Sequence, residues 1–88
     1  MVTDEYRNEL IEIDRRLRQA GFQSSIRALD SAPFVYVEHH RRPAEISKNV
    51  GGWFIELFEE PNEVSIRDEM QDTIHIAVEQ VVDWLRNQ

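Results

Sequence analysis

The sequence predicts an α+β domain: an N-terminal helix, an antiparallel meander of three to five strands and a C-terminal helix, with both helices on one sheet face. Two observations carry this. Apolar residues recur at helical spacing near both ends, at Tyr6, Leu10, Ile13, Leu17 and Ala20 and again at Ile74, Ala77, Val78, Val81, Val82 and Leu85. Between them the period falls to two, in runs such as FVYVEHH (34–40) and WFIELFEE (53–60), separated by short turn-forming segments.

The first helix is expected over 4–20. Thr3 can accept from an orphan backbone N–H, Asp4 and Glu5 suit the positive end of the helix dipole, and Arg15, Arg16 and Arg18 suit its negative end. Gly21 then supplies a left-handed stop. From Phe22 the alternation of Phe22, Ser24, Ile26 and Ala28 with polar neighbours suggests a modest strand over 22–29 that ends at DSAP (30–33). FVYVEHH is a firmer strand, rich in β-branched and aromatic residues. AEISKN after Pro43 reads as a short strand, NVGG (49–52) as a turn, WFIELFEE as the strongest strand, PNE (61–63) as a turn and VSIRDE (64–69) as a last strand. Asp72 is the expected N-cap of the second helix, with Ile76 opposite its apolar face and Trp84 at the edge.

In the strongest strand Trp53, Ile55 and Leu57 point one way and Phe54, Glu56 and Phe58 the other. One face cannot bury all five apolar side chains. With both helices assigned to one face, the second is expected to be partly open, as an interface, or else covered by loops.

Eighty-eight residues make one small domain over 1–88, whose composition, 41% hydrophobic with three Gly and three Pro, is that of a folded chain. No cysteine is present, so neither a disulfide nor a thiolate-bound zinc supports the core, and dimerisation is the remaining staple. The N-terminus lacks a basic and apolar leader pattern and no long apolar run occurs, so a cytoplasmic protein with no membrane association is expected. The net charge of −7 is unevenly placed. Residues 1–14 carry five acids against Arg7, and residues 49–88 nine acids against Arg67 and Arg86. The middle reverses this, with six arginines and Lys48 against Asp30, Glu38 and Glu45. Such a chain repels nucleic acid over most of its surface and offers one basic region to an acidic partner or a second copy.

The segment VYVEHHRRPAEI (36–47) concentrates that positive charge. His39 and His40, as strand neighbours, are expected on opposite faces, which opposes chelation, and no H-x-H or H-E-x-x-H pattern occurs. We expect no metal site and no cofactor. His75 lies one turn before Glu79, a spacing suited to an ordinary side-chain pair. Ser24 and Ser25 with His39 and Asp30 lack a nucleophile elbow or oxyanion hole, and Glu38 with Glu56 is not by itself an acid/base pair, so no catalytic residues are assigned.

Two family resemblances follow. Helix, three strands, helix is the element order of double-stranded-RNA-binding domains, which the chain resembles in order only: their second helix opens with lysines that hold phosphates, and the stretch here is DEMQD (68–72). Residues 44–85 resemble the strand-strand-strand-helix portion of HicB-type antitoxins, through the hairpin at Gly51, Gly52 and Trp53 and a helix starting at Thr73 with Ala77 four residues on. The Pro-Asp-x-Pro-Gly segment of that family is replaced by EEPNE, its glycine before the helix is missing, and helix 4–20 precedes the match. The resemblance implies a small sheet-and-helix binding module.

The function expected is thus a small, non-enzymatic protein-interaction or regulatory module, in complex with another protein or as a homodimer. Its expected surface is Phe54, Phe58, Ile76 and Trp84. The alternative is nucleic-acid binding through Arg15, Arg18, His40, Arg41 and Arg42, and after it a metal-binding protein or enzyme around His39 or His75.

Overall fold

A computed structural model gives the architecture and describes residues 3–29, 31–60 and 63–87. Helix α1 (Asp4–Gln19) is followed by strands β1 (Gln23–Arg27), β2 (Phe34–His39), β3 (Arg42–Asn49), β4 (Gly52–Leu57) and β5 (Arg67–Gln71), and then by helix α2 (Ile74–Arg86). The five strands form one antiparallel meander in sequence order. This is the expected α+β domain with two helices on one face.

The helical period becomes a single core. Leu10, Ile13 and Leu17 of α1 and Ala77, Val81 and Leu85 of α2 are fully buried against Val35, Val37, Ala44, Ile46, Ile55 and Leu57 of the sheet. Burying each large aliphatic side chain contributes about 1.5–3 kcal/mol. Trp53, 3% exposed, completes the core, with Tyr6 packed tilted on its ring. The Tyr6 hydroxyl donates to the Pro33 carbonyl (2.7 Å) and accepts from the Lys48 backbone N–H (3.3 Å), tying α1 to the start of β2 and the end of β3. At the other end of α1, Ser24 Oγ donates to the Asp14 carboxylate and joins the helix to β1.

Several boundaries differ from expectation for local reasons. Thr3 caps α1 as expected, but Thr73 rather than Asp72 caps α2, its hydroxyl accepting from Ile76 N at 3.2 Å. β1 stops at Arg27 because Ala28 turns left-handed at φ +58. β4 stops at Leu57 rather than Glu60. The Pro43 carbonyl accepts the Phe58 N–H at 2.9 Å, but proline has no N–H to return to the Phe58 carbonyl, so regular pairing gives way there to a single further bond, from Glu60 N–H to the Arg41 carbonyl at 3.1 Å. The last strand runs over 67–71 rather than 64–69, leaving Val64 and Ile66 exposed. The expected turns DSAP and PNE fall partly outside the described residues, at Asp30 and at Pro61 and Asn62. No described helix is long and apolar enough to cross a membrane.

Candidate functional site

The side of the sheet away from the helices is built by alternation and register together. Phe34 and Tyr36 lie opposite to buried Val35 and Val37, and Phe54 and Glu56 opposite to buried Trp53 and Ile55. Strand pairing then aligns Ser25, Tyr36, Glu45, Glu56 and Asp68 in one row across all five strands. In the row beside it, Phe54 stands between Ser47 and Met70. Phe58 is half-buried just beyond Glu56, its backbone bonded to Pro43. The face is therefore a band of three carboxylates bordered by apolar side chains.

The electrostatics of this band are strained. Partial burial, and then the neighbouring Glu56 charge, raise the Glu45 carboxyl above its ordinary value, with Arg27 opposing. Burial followed by Asp68 raises Glu56. Tyr36 is raised chiefly by burial and then by Glu38, whose carboxylate accepts from its hydroxyl at 3.2 Å. Arg27 stacks on the Tyr36 ring at 3.8 Å.

Phe54 and Phe58 are thus together on the open sheet face, whereas Ile76 (44% exposed) and Trp84 lie on α2. Trp84 is covered by Arg42, whose guanidinium stacks on the indole at 3.7 Å and donates to the carbonyls of Trp84 (3.0 Å) and Asn87. Arg42 is in effect the cap of α2's C-terminal carbonyls. Arg42 Nε and Trp84 Nε1 are buried in this stack without a hydrogen-bond partner among the described residues.

The candidate arginines each pair with a carboxylate of this chain. Arg15 pairs with Glu12 at 2.6 Å and Arg18 with Asp14 at 3.0 Å, on the helix they belong to. Hydrogen bonds from Arg15 and then Arg16 hold Glu12 below the usual carboxylate range. Arg41 pairs with Glu60 at 3.5 Å, and Arg42 reaches Glu59 at 3.9 Å. A shallow depression of about 400 Å³ lined by His40, Arg41, Arg42, Glu59, Glu60 and Asn87 is thereby filled with internally compensated charge.

The histidines require a correction. Strand alternation was expected to separate His39 from His40, but β2 ends at His39, and His40 and Arg41 both adopt positive φ (+49 and +65) as the two-residue turn between β2 and β3. The turn brings the two rings to 3.9 Å, with His39 also edge-on to Phe22 at 5.0 Å. Among the described residues no group of three or more His, Asp or Glu is placed to hold a metal ion. His75 and Glu79 form the expected pair at 3.3 Å, both well exposed. Ser24 is engaged by Asp14 rather than by a histidine.

Compared with family models, curated proteins and solved structures, the chain matches none. Its functional reading therefore rests on its own geometry. Sequence reasoning missed Phe34, Tyr36 and Met70 as members of the open face. The first two were legible in the alternation FVYVE, which sets them opposite Val35 and Val37. Met70 and the carboxylate row were not, because they depend on strand register. Chemically, this face can receive apolar groups beside Phe54 and Met70 and a cation on the carboxylates.

Proposed function

We propose that the chain is a small, non-enzymatic protein-interaction or regulatory module that binds through the open face of its sheet. The observation that carries this reading is a sheet face with Phe34, Tyr36, Phe54, Phe58 and Met70 on the side opposite both helices, in a domain that already has a complete core without them. The reading replaces a surface made jointly of sheet and α2 residues with one centred on Phe54 and Phe58. Nucleic-acid binding is the weaker reading, since Arg15, Arg18, Arg41 and Arg42 each end on a carboxylate of this chain.

Ser47 borders Phe54 on this face, so a photo-cross-linking amino acid placed there tests the proposal in cells. A discrete adduct that disappears with Phe54→Asp is expected. Adducts obtained equally from Ile11 on the far side of α1, or none from Ser47, would sink it. The mass of the adduct also separates a second copy of the chain from a different protein.

A further inference from the structure

The three carboxylates at the middle of the open face stand in one row across adjacent strands. Glu9, Glu12, Asp14, Glu59, Glu60 and Glu69 each hold a cation of the same chain. Among the described residues no such ion pair is formed by Glu45, Glu56 or Asp68, although the register sets them side by side on adjacent strands. Strands lie about 4.8 Å apart, so the row presents three negative charges over roughly 10 Å. Like charges directly opposite each other destabilise a sheet. Arg27, the positive group on this face, stacks on the Tyr36 ring at one edge and opposes the row's charge at Glu45 without an ion pair to it.

We infer that the occupant of the open face is a basic segment of another protein, which sets a lysine or arginine on the Glu45–Glu56–Asp68 row and apolar side chains on Phe54 and Met70. The inference rests on the proposed function and adds the chemistry of the partner. Charge complementarity selects it over a second copy. Glu38, Glu45, Glu56 and Asp68 stand against Arg27 on this face, so two copies meeting face to face would set acid against acid, in a chain whose net charge is −7. A partner cation instead offsets the repulsion within the row by its own attraction to the carboxylates. The row of carboxylates and the row of Phe54 and Met70 are two residues apart along the strands, about 7 Å. That matches the spacing of successive same-side residues in an extended partner segment. The apolar row is open at its β5 end, where Met70 is 45% exposed.

The test titrates isotope-labelled protein with three short peptides of alternating sequence, leucine–lysine, leucine–glutamate and serine–lysine, and follows backbone amide shifts. Shifts at residues 45, 54–56 and 68–70 with the leucine–lysine peptide are expected, weaker with serine–lysine and absent with leucine–glutamate. Glu56→Gln combined with Asp68→Asn, which keeps the side-chain shapes, is expected to weaken the leucine–lysine peptide roughly fivefold or more. Equal binding of leucine–lysine and leucine–glutamate at these residues would overturn the basic partner while leaving a docking face. Concentration-dependent shifts at the same residues without peptide would overturn it in favour of a second copy. Binding by none of the peptides, or shifts confined to α1 and α2, would overturn the inference, and the Ser47 cross-link would then report separately whether the face binds a protein at all.

Discussion

Glu45 and Glu56 face each other directly across β3 and β4, on the sheet side away from both helices, and Asp68 stands next to Glu56 on β5. Two neighbouring acids on paired strands are a cost to the fold, which Arg27 opposes at Glu45 without forming an ion pair. The pH dependence of that cost has a definite sign. Both glutamates have folded values above the ordinary 4.5, so the folded chain holds their protons more tightly than the unfolded chain does. Their contribution is fully favourable below the unfolded value and is lost as pH rises through the folded one.

Glu56→Gln is accordingly expected to stabilise the protein at pH 7 by about 0.5–1 kcal/mol, the scale of a cross-strand pair. The gain should shrink as pH falls towards 4.5 and below, where the native carboxyl is already protonated. Urea denaturation at pH 7 and at about pH 4 measures this. An equal gain at both would mean that charge is not its cause.

Gly52→Ala should destabilise by about 2 kcal/mol or more. A Cβ at this position would be driven into the Gln71 carbonyl oxygen and would lie 3.2 Å from its carbon, and both belong to backbone that cannot swing aside. Gly51→Ala meets no atom within 4 Å and loses only the left-handed turn at φ +82, so about 1 kcal/mol is expected. Denaturant midpoints of the two variants should differ in that order.

Arg42→Met keeps an apolar chain over Trp84 but removes the donors to the last carbonyls of α2. A loss of about 1–3 kcal/mol is expected, with faster amide exchange in the final turn around Leu85 than in the first turn of α2. Uniformly faster exchange along α2 would show that Arg42 holds the whole helix rather than its end.

Phe58→Glu and Trp53→Ala should separate the two sheet faces. Trp53 is buried in the core and its truncation should cost about 3–5 kcal/mol. Phe58 is half-buried outside that core, so its replacement should cost about 1 kcal/mol or less and leave a folded protein. A cost at Phe58 comparable to that at Trp53 would make the open face structural and remove the main support for a docking surface.

Tyr6→Phe retains the ring against Trp53 and removes the hydroxyl that bridges Pro33 and Lys48. About 1 kcal/mol of stability should be lost, measurable as a shift in thermal midpoint with unchanged circular dichroism at low temperature.

The sequence by itself determined the order and type of the elements and which side chains of α1 and β4 face the core. Leu10, Ile13 and Leu17 declare the buried stripe of α1, and Trp53, Ile55 and Leu57 the buried side of β4, because the periods of 3.6 and 2 are written within single contiguous segments. Strand ends were less legible. β4 stops where Pro43, fourteen positions before Leu57, has no N–H to offer, and β5 begins three residues later than its apolar pattern suggests. What only the tertiary structure decided is which side chains become neighbours across strands and turns. Register aligned Glu45, Glu56 and Asp68 into one row, and a left-handed turn brought His39 and His40 together. The arginines that read as a basic patch were dispersed onto separate carboxylates and the end of α2. Periodicity is a property of neighbours along the chain, whereas a binding surface is a property of neighbours across it, fixed by hydrogen-bond register and turn geometry.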